Sequence, residues 1–153
     1  MKVNFNPHSK AGNISFQKNK GIYVCSPLAS GGKEEIEKKG IDIKTHIRNN
    51  ANNAIYYASI IFNNGDYPYW NHSTWPYFVD DTDPKGRKRA LDGCLDLVRR
   101  CDALCYFGKP AGGMCKEIEE ARKHGIPVIT PGQLKDIDKI VEKAEKEKNA
   151  NQI

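Results

Sequence analysis

The stretch Ala103-Leu104-Cys105-Tyr106-Phe107-Gly108 is followed by a break at Pro110, Gly112 and Gly113, the segment Met114 to His124, a stop at Gly125 and the run Ile126 to Thr130. Its two apolar runs are short and bounded by turn formers, the pattern of strands buried on both faces. Between them, Ile118 and Ala121 recur at helical spacing, and Gly125 ends the helix. Strand, helix, strand is the unit from which a parallel sheet is built.

The alternation continues outward from this unit. Upstream, Arg87 to Cys101 has helical period through Ala90, Leu91, Cys94, Leu95 and Val98, and Asp66 to Trp70 reads as a second strand. A longer helix, Lys44 to Asn64, carries Ile47, Ala51, Ala54, Ile55, Ala58, Ile61 and Phe62 at three-to-four spacing, with Gly65 as its stop. The charged segment Lys33 to Lys39 separates it from the first strand, Gly21 to Ser26, whose run Ile22-Tyr23-Val24-Cys25 suits the middle of a sheet. Downstream, Leu134 to Lys148 reads as a final helix. The expected order is β, α, β, α, β, α, β, α, and the expected fold is a single-domain α/β Rossmann-like (flavodoxin-like) parallel sheet flanked by helices. Residues 21–148 form the domain, between a flexible basic arm at 1–20 and a tail at 149–153.

Composition agrees with one soluble domain. The chain has 153 residues, of which 39% are hydrophobic, enough for one core. No stretch without a charged or amide side chain, such as that near Ile55 to Phe62, approaches a membrane span, and Met1 to Lys20 lacks the apolar core of a secretory signal. Lys and Arg exceed Asp and Glu by 24 to 19, a net charge of +5, and Lys2, Lys10, Lys18 and Lys20 account for most of it. A nucleic-acid domain concentrates cations with aromatics on its folded face, so nucleic acid is not the expected partner. Five cysteines without a CxxC pair fit neither a disulfide framework nor a zinc site. They read as reduced core cysteines of a cytoplasmic protein.

Parallel sheets of this kind bind ligands beyond the carboxyl ends of their strands. Three connections meet there: Ser26 to Gly32, the aromatic and acidic loop Asn71 to Gly86, and Gly108 to Glu117. Gly112-Gly113 before a helix can present N–H groups and the helix dipole to an anion, or can be a plain turn. Glu117 lies one turn into that helix, beside the rim, where it is either surface charge or a site carboxylate. His72 can donate to a ligand oxygen or satisfy its own loop, and Asp83-Pro84 can cap the next helix.

Tyr23-Val24-Cys25-Ser26-Pro27-Leu28, Asp102 to Gly108, Gly112-Gly113-Met114-Cys115-Lys116-Glu117-Ile118-Glu119-Glu120-Ala121 and Gly125 to Ile129 together resemble the nucleoside 2-deoxyribosyltransferase superfamily over roughly residues 21–130. Trp70-Asn71-His72 and Asp80-Asp81-Thr82-Asp83-Pro84 bring the chain nearest to that superfamily's small phage and bacterial relatives of unknown function. The resemblance implies Glu117 as a nucleophile on C1′ of a deoxyribosyl group, with Asp80, Asp81 or Asp83 as the acid that protonates the departing base, Asp81 foremost. It further implies a nucleoside or nucleotide substrate held by Tyr23, Ser26, Ser30, Gly31, Gly32, His72, Gly112, Gly113 and Met114. Met114 and Cys115 stand where a small hydroxyl residue belongs in the phosphate-binding members. A homo-oligomer is implied as well. The spacing of His, Cys and acidic residues suggests no metal, and the chemistry needs no cofactor. The alternative activity is a pocket that binds a nucleotide without turnover, and a third reading is an interaction protein using the arm and the final helix.

Overall fold

The computed structural model describes residues 19–28, 32–71, 75, 78–80 and 82–151. Strand β1 (Gly21–Cys25) holds the middle of the sheet for the reason its sequence suggests: Ile22, Tyr23, Val24 and Cys25 are all completely buried, two on each face. It pairs in parallel with β2 (Tyr67–Tyr69) on one side and with β3 (Ala103–Tyr106) on the other, and β3 pairs with β4 (Val128–Ile129). The four strands are all parallel in the order β2-β1-β3-β4. Pro68 sits in the middle of β2, and an edge strand tolerates the missing N–H because only one side must pair.

Helices cover both faces of this sheet. Ile22, Val24, Ala103, Cys105 and Ile129 face α2 (Ile43–Asn63) and α5 (Ile137–Ala150), meeting Ala58, Ile61, Ile137 and Val141. Tyr23, Cys25, Leu104 and Ile126 face α3 (Pro84–Arg100) and α4 (Gly113–Lys123), meeting Cys94, Val98, Ile118 and Ala121. The result is a single three-layer α/β/α domain of Rossmann-like form. Asp42 opens α2 by accepting from Thr45 N at 2.7 Å, and Asp83 opens α3 by accepting from Lys85 and Gly86 N, with Pro84 in the first turn. Asp83 therefore has the capping role its Asp-Pro pair suggests.

The structure differs from the sequence reading at four places. The charged segment is a helix, α1 (Gly32–Lys39), so the order is β, α, α, β, α, β, α, β, α. Its residues lack an apolar stripe, and only Ile36 is half-buried among those whose side chains are described. The last strand is shorter than Ile126 to Thr130, because Pro127 cannot donate and Pro131 begins a 3-10 turn through Asp136. That turn, rather than α5, holds Leu134, and α5 runs on through Ala150, two residues into the segment read as a tail. Most of the arm, residues 1–18, lies outside the described residues. Among the described residues no helix is long and apolar enough to cross a membrane.

Candidate functional site

In the order β2-β1-β3-β4 the chain leaves β1 for one neighbour and later returns on the other side at β3. The two connections diverge there, and in sheets of this kind that divergence is where a crevice forms, here at the carboxyl ends of β1 and β3. The chain enters α4 from β3, so the amino end of α4 faces that crevice. Gly112 precedes α4 with φ 53° and ψ −124°, a conformation that suits glycine and turns the chain sharply into the helix. Met114 N donates to Ala111 O and Cys115 N to Gly112 O, which leaves the N–H groups of Gly112 and Gly113 without a backbone acceptor among the described residues.

Glu117 sits one turn further on, and its exposure is 3%. Helical side chains lean toward the helix amino end, and Oε1 accordingly lies 4.0 Å from where a Cβ on Gly113 would be. Its other oxygen, Oε2, has no hydrogen-bond partner among the described residues, and neither has the hydroxyl of Tyr23, which is fully buried on β1. Burial pushes the Glu117 carboxyl up to about 8, although the nearby Tyr23 hydroxyl and Cys25 thiol favour its charged form. Burial and the proximity of Glu117 hold both the Tyr23 hydroxyl and the Cys25 thiol well above their ordinary values. The Cys25 thiol points toward Met114 O at 3.8 Å. At neutral pH the three groups all keep their protons and form a neutral cluster in which each can both donate and accept, beneath a helix end with open N–H groups.

The other residues expected at a site separate into three groups. Ser26 is buried directly after β1, and Gly32 begins α1. Met114 is 2% exposed and packs in the core beside Tyr23, Cys25 and Ile118, so its side chain belongs to the α3/α4 layer rather than to an open ligand surface. Asp80 is exposed and accepts from Thr82 N at 3.0 Å and from the Thr82 hydroxyl, and those bonds hold its carboxyl below its ordinary value. It is ionised at neutral pH and has no proton to give as an acid. Ser30, Gly31, His72 and Asp81 lie outside the described residues.

A family model for a domain of unknown function (DUF7768) matches residues 20–130. The chain belongs to this family. The matched region holds the whole sheet, α4 and the Glu117 cluster, and leaves α5 outside. No curated protein and no solved structure matches the chain.

Within this DUF7768 domain the structure adds residues that the sequence reading missed. Cys25 lies beside Glu117, and Cys94 lies near the Tyr23 hydroxyl while accepting from Asn71 Nδ2 at 3.8 Å. Strand alternation puts Tyr23 and Cys25 on one face, but only the packing of α4 on that face brings the carboxyl to them. Buried His46 on α2 lies 3.1 Å through Nε2 from Asn50 Nδ2, which donates to Leu28 O at 2.6 Å. This pair ties α2 to the connection after β1, and a histidine and an amide four apart on an otherwise alanine-rich buried stripe were its only sequence signal.

Proposed function

We propose that the protein cleaves or transfers the N-glycosidic bond of a nucleoside, nucleotide or related ribosyl compound, with Glu117 as nucleophile. The observation that supports this most is the Glu117 carboxyl itself, 3% exposed with one oxygen unpartnered under the glycine turn that opens α4. A fold leaves a buried acid unsatisfied at a cost, and such groups cluster where chemistry is done. In the reaction the ionised Glu117 oxygen bonds to C1′ as the C1′–N bond breaks, and the bonding pair leaves with the base nitrogen, which takes a proton from an acid. Water or a second base then displaces Glu117 from C1′. Asp81 is the acid in this proposal. A reduced, cytoplasmic protein belongs to the same reading and is supported by the free thiols of Cys25, Cys94, Cys101, Cys105 and Cys115.

The test is chromatographic detection of free base after incubation with deoxy- and ribonucleosides, their monophosphates and NAD, with and without an acceptor base. The wild type releases or exchanges a base, and Glu117→Gln loses at least about a hundredfold of the rate. A loss below about tenfold removes Glu117 from the chemistry. Since the nucleophile must be ionised, kcat/KM rises with pH through about 8, and a fall over that range would make Glu117 the acid instead. One observation favours a second reading, binding without turnover: the carboxyl is neutral at pH 7 and accordingly a poor nucleophile. That reading expects thermal stabilisation by a member of the same panel with no base released by either protein.

A further inference from the structure

We infer that Arg87 is a specificity-determining residue of the crevice, a guanidinium that grips a phosphate group and so selects a nucleotide over its parent nucleoside. This role rests on reading the crevice as a nucleoside or nucleotide site, and it narrows the substrate class through a residue to which the family resemblance assigns nothing.

Helix α3 follows β2, so its amino end stands at the carboxyl ends of the strands, the same end as the glycine turn of α4. At about 100° per residue, Arg87 falls about 20° from Cys94 around the helix and Leu91 about 60° from it, so the three share one stripe. Cys94 is buried in the cluster that holds Tyr23 and lies near the Tyr23 hydroxyl. Leu91 Cδ1 is 3.8 Å from where a Cβ on Gly113 would be. Arg87 stands one turn beyond Leu91 and two beyond Cys94, on the side of the open N–H groups of Gly112 and Gly113. The other flank of the stripe is lined as well: Gly86 and Gly93 fall about 80° and 100° from Cys94 on the side away from Leu91. Val79 and Asp80 pack on Gly86, and Trp75 packs on Gly93. Arg87 is thus set between the Val79–Asp80 segment and α4, exposed at the mouth of the crevice.

Charge gives the ligand its sign. Lys85, Arg87, Lys88 and Arg89 crowd the start of α3, whose first turn has no acidic residue. A helix amino end carries partial positive charge, so cations stabilise a helix least there. Lys85, Lys88 and Arg89 fall about 120° to 180° from Cys94 and face water. Arg87 does not: a stripe that is apolar through Val98, Cys94 and Leu91 ends in a guanidinium over the crevice. Its planar fork of donors matches the oxygens of a phosphate, with two N–H groups that lack a backbone acceptor nearby. Glu117 Oε2 and the Tyr23 hydroxyl, both buried and unpartnered, lie deeper on the same face of the sheet, where the rest of the substrate belongs. An uncharged nucleoside brings no anion to the fork.

Isothermal titration calorimetry with nucleosides and their 5′-monophosphates tests this without requiring turnover. The wild type binds a monophosphate at least about tenfold more tightly than the parent nucleoside, the advantage shrinks as salt rises, and inorganic phosphate competes. Arg87→Gln loses that advantage, and Arg87→Lys, which keeps the charge without the fork, retains only part of it. Arg89→Gln removes the same charge from the opposite face of α3 and keeps the advantage whole. Both positions are exposed, so the variants retain the wild-type circular dichroism. Monophosphate binding that depends on Arg87, with no base released by any of the proteins, upholds this role while removing the glycosidase reading. Base released from nucleosides and monophosphates alike, in a ratio that Arg87→Gln leaves unchanged, overturns it and leaves the Glu117 chemistry standing. Equal losses in Arg87→Gln and Arg89→Gln overturn it too, since net charge then accounts for the preference, as does a monophosphate bound no better than its nucleoside.

Discussion

Holding a carboxyl at 3% exposure with one oxygen unpartnered removes it from water at a cost that the Tyr23 hydroxyl and Cys25 thiol only partly offset, and its pKa rises from an ordinary 4.5 to about 8. Between those two values the unfolded chain releases the Glu117 proton and the folded protein keeps it. The folded state therefore loses stability as pH rises from 4.5 to about 8 and no further above that, by at most about 5 kcal/mol from this group. Glu117→Gln stays neutral throughout. The variant should match the wild type in melting temperature near pH 5 and exceed it increasingly toward pH 8; a gap that does not grow over this range would contradict the burial account. The two glycines before the carboxyl should respond in opposite ways. Gly112→Ala must adopt φ 53°, ψ −124°, and costs about 1–3 kcal/mol in a thermal melt. Gly113→Ala puts a methyl at ordinary contact distance, 3.8 Å from Leu91 Cδ1 and 4.0 Å from Glu117 Oε1. It leaves stability within about 1 kcal/mol while crowding the carboxyl, so base release falls without a matching fall in the melt.

At the scale of elements, one helix–loop contact holds Trp75 against α3. Trp75 lies against Gly93 of α3 so closely that a Cβ there would stand 2.5 Å from Trp75 Cη2, with the ring edge also near. Helix propensity alone favours Gly93→Ala by about 1 kcal/mol. The overlap is with an indole held in the α3/α4 core cluster, so the opposite sign is expected: a loss of about 1–3 kcal/mol and a red shift in tryptophan emission as Trp75 is displaced. A more stable variant with unchanged emission would show that the indole yields freely. What could be read from the sequence follows the same division between local pattern and packing. Apolar runs and three-to-four periodicity announce β1, β3, α2, α3 and α4 because each buries a face, and Asp83-Pro84 announces its cap locally. Helix α1 escapes notice because Lys33 to Lys39 offers only Ile36 to bury. Glu117 is visible as a carboxylate one turn from a glycine pair. The companionship of Cys25, and the bond from Asn50 to Leu28, arise from packing between elements far apart in the chain.

At the scale of the whole molecule, the sheet order grades stability from the centre outward. Strand β1 is bonded on both sides and fully buried from Ile22 to Cys25; β3 is bonded to β1 and β4, with Phe107 N donating to Cys25 O and Leu104 N to Pro127 O. Edge strand β2 has three residues, two of them tyrosines nearly half exposed, and α1 is short with a charged surface. Amide hydrogen exchange should therefore show Ile22 to Cys25 and Leu104 to Phe107 opening only with global unfolding, and α1 and β2 opening locally far sooner. The crevice lies where the most rigid strands end, so a bound ligand finds Tyr23 and Cys25 already fixed. The amino end of α4 presents the N–H groups of Gly112 and Gly113, which have no backbone acceptor among the described residues. A ligand from the nucleoside panel should then add protection mainly in the first turn of α4 and the connection after β1, leaving α5 unchanged. Protection confined to α5, on the opposite layer of the sheet, would place the ligand away from Glu117 and refute the site.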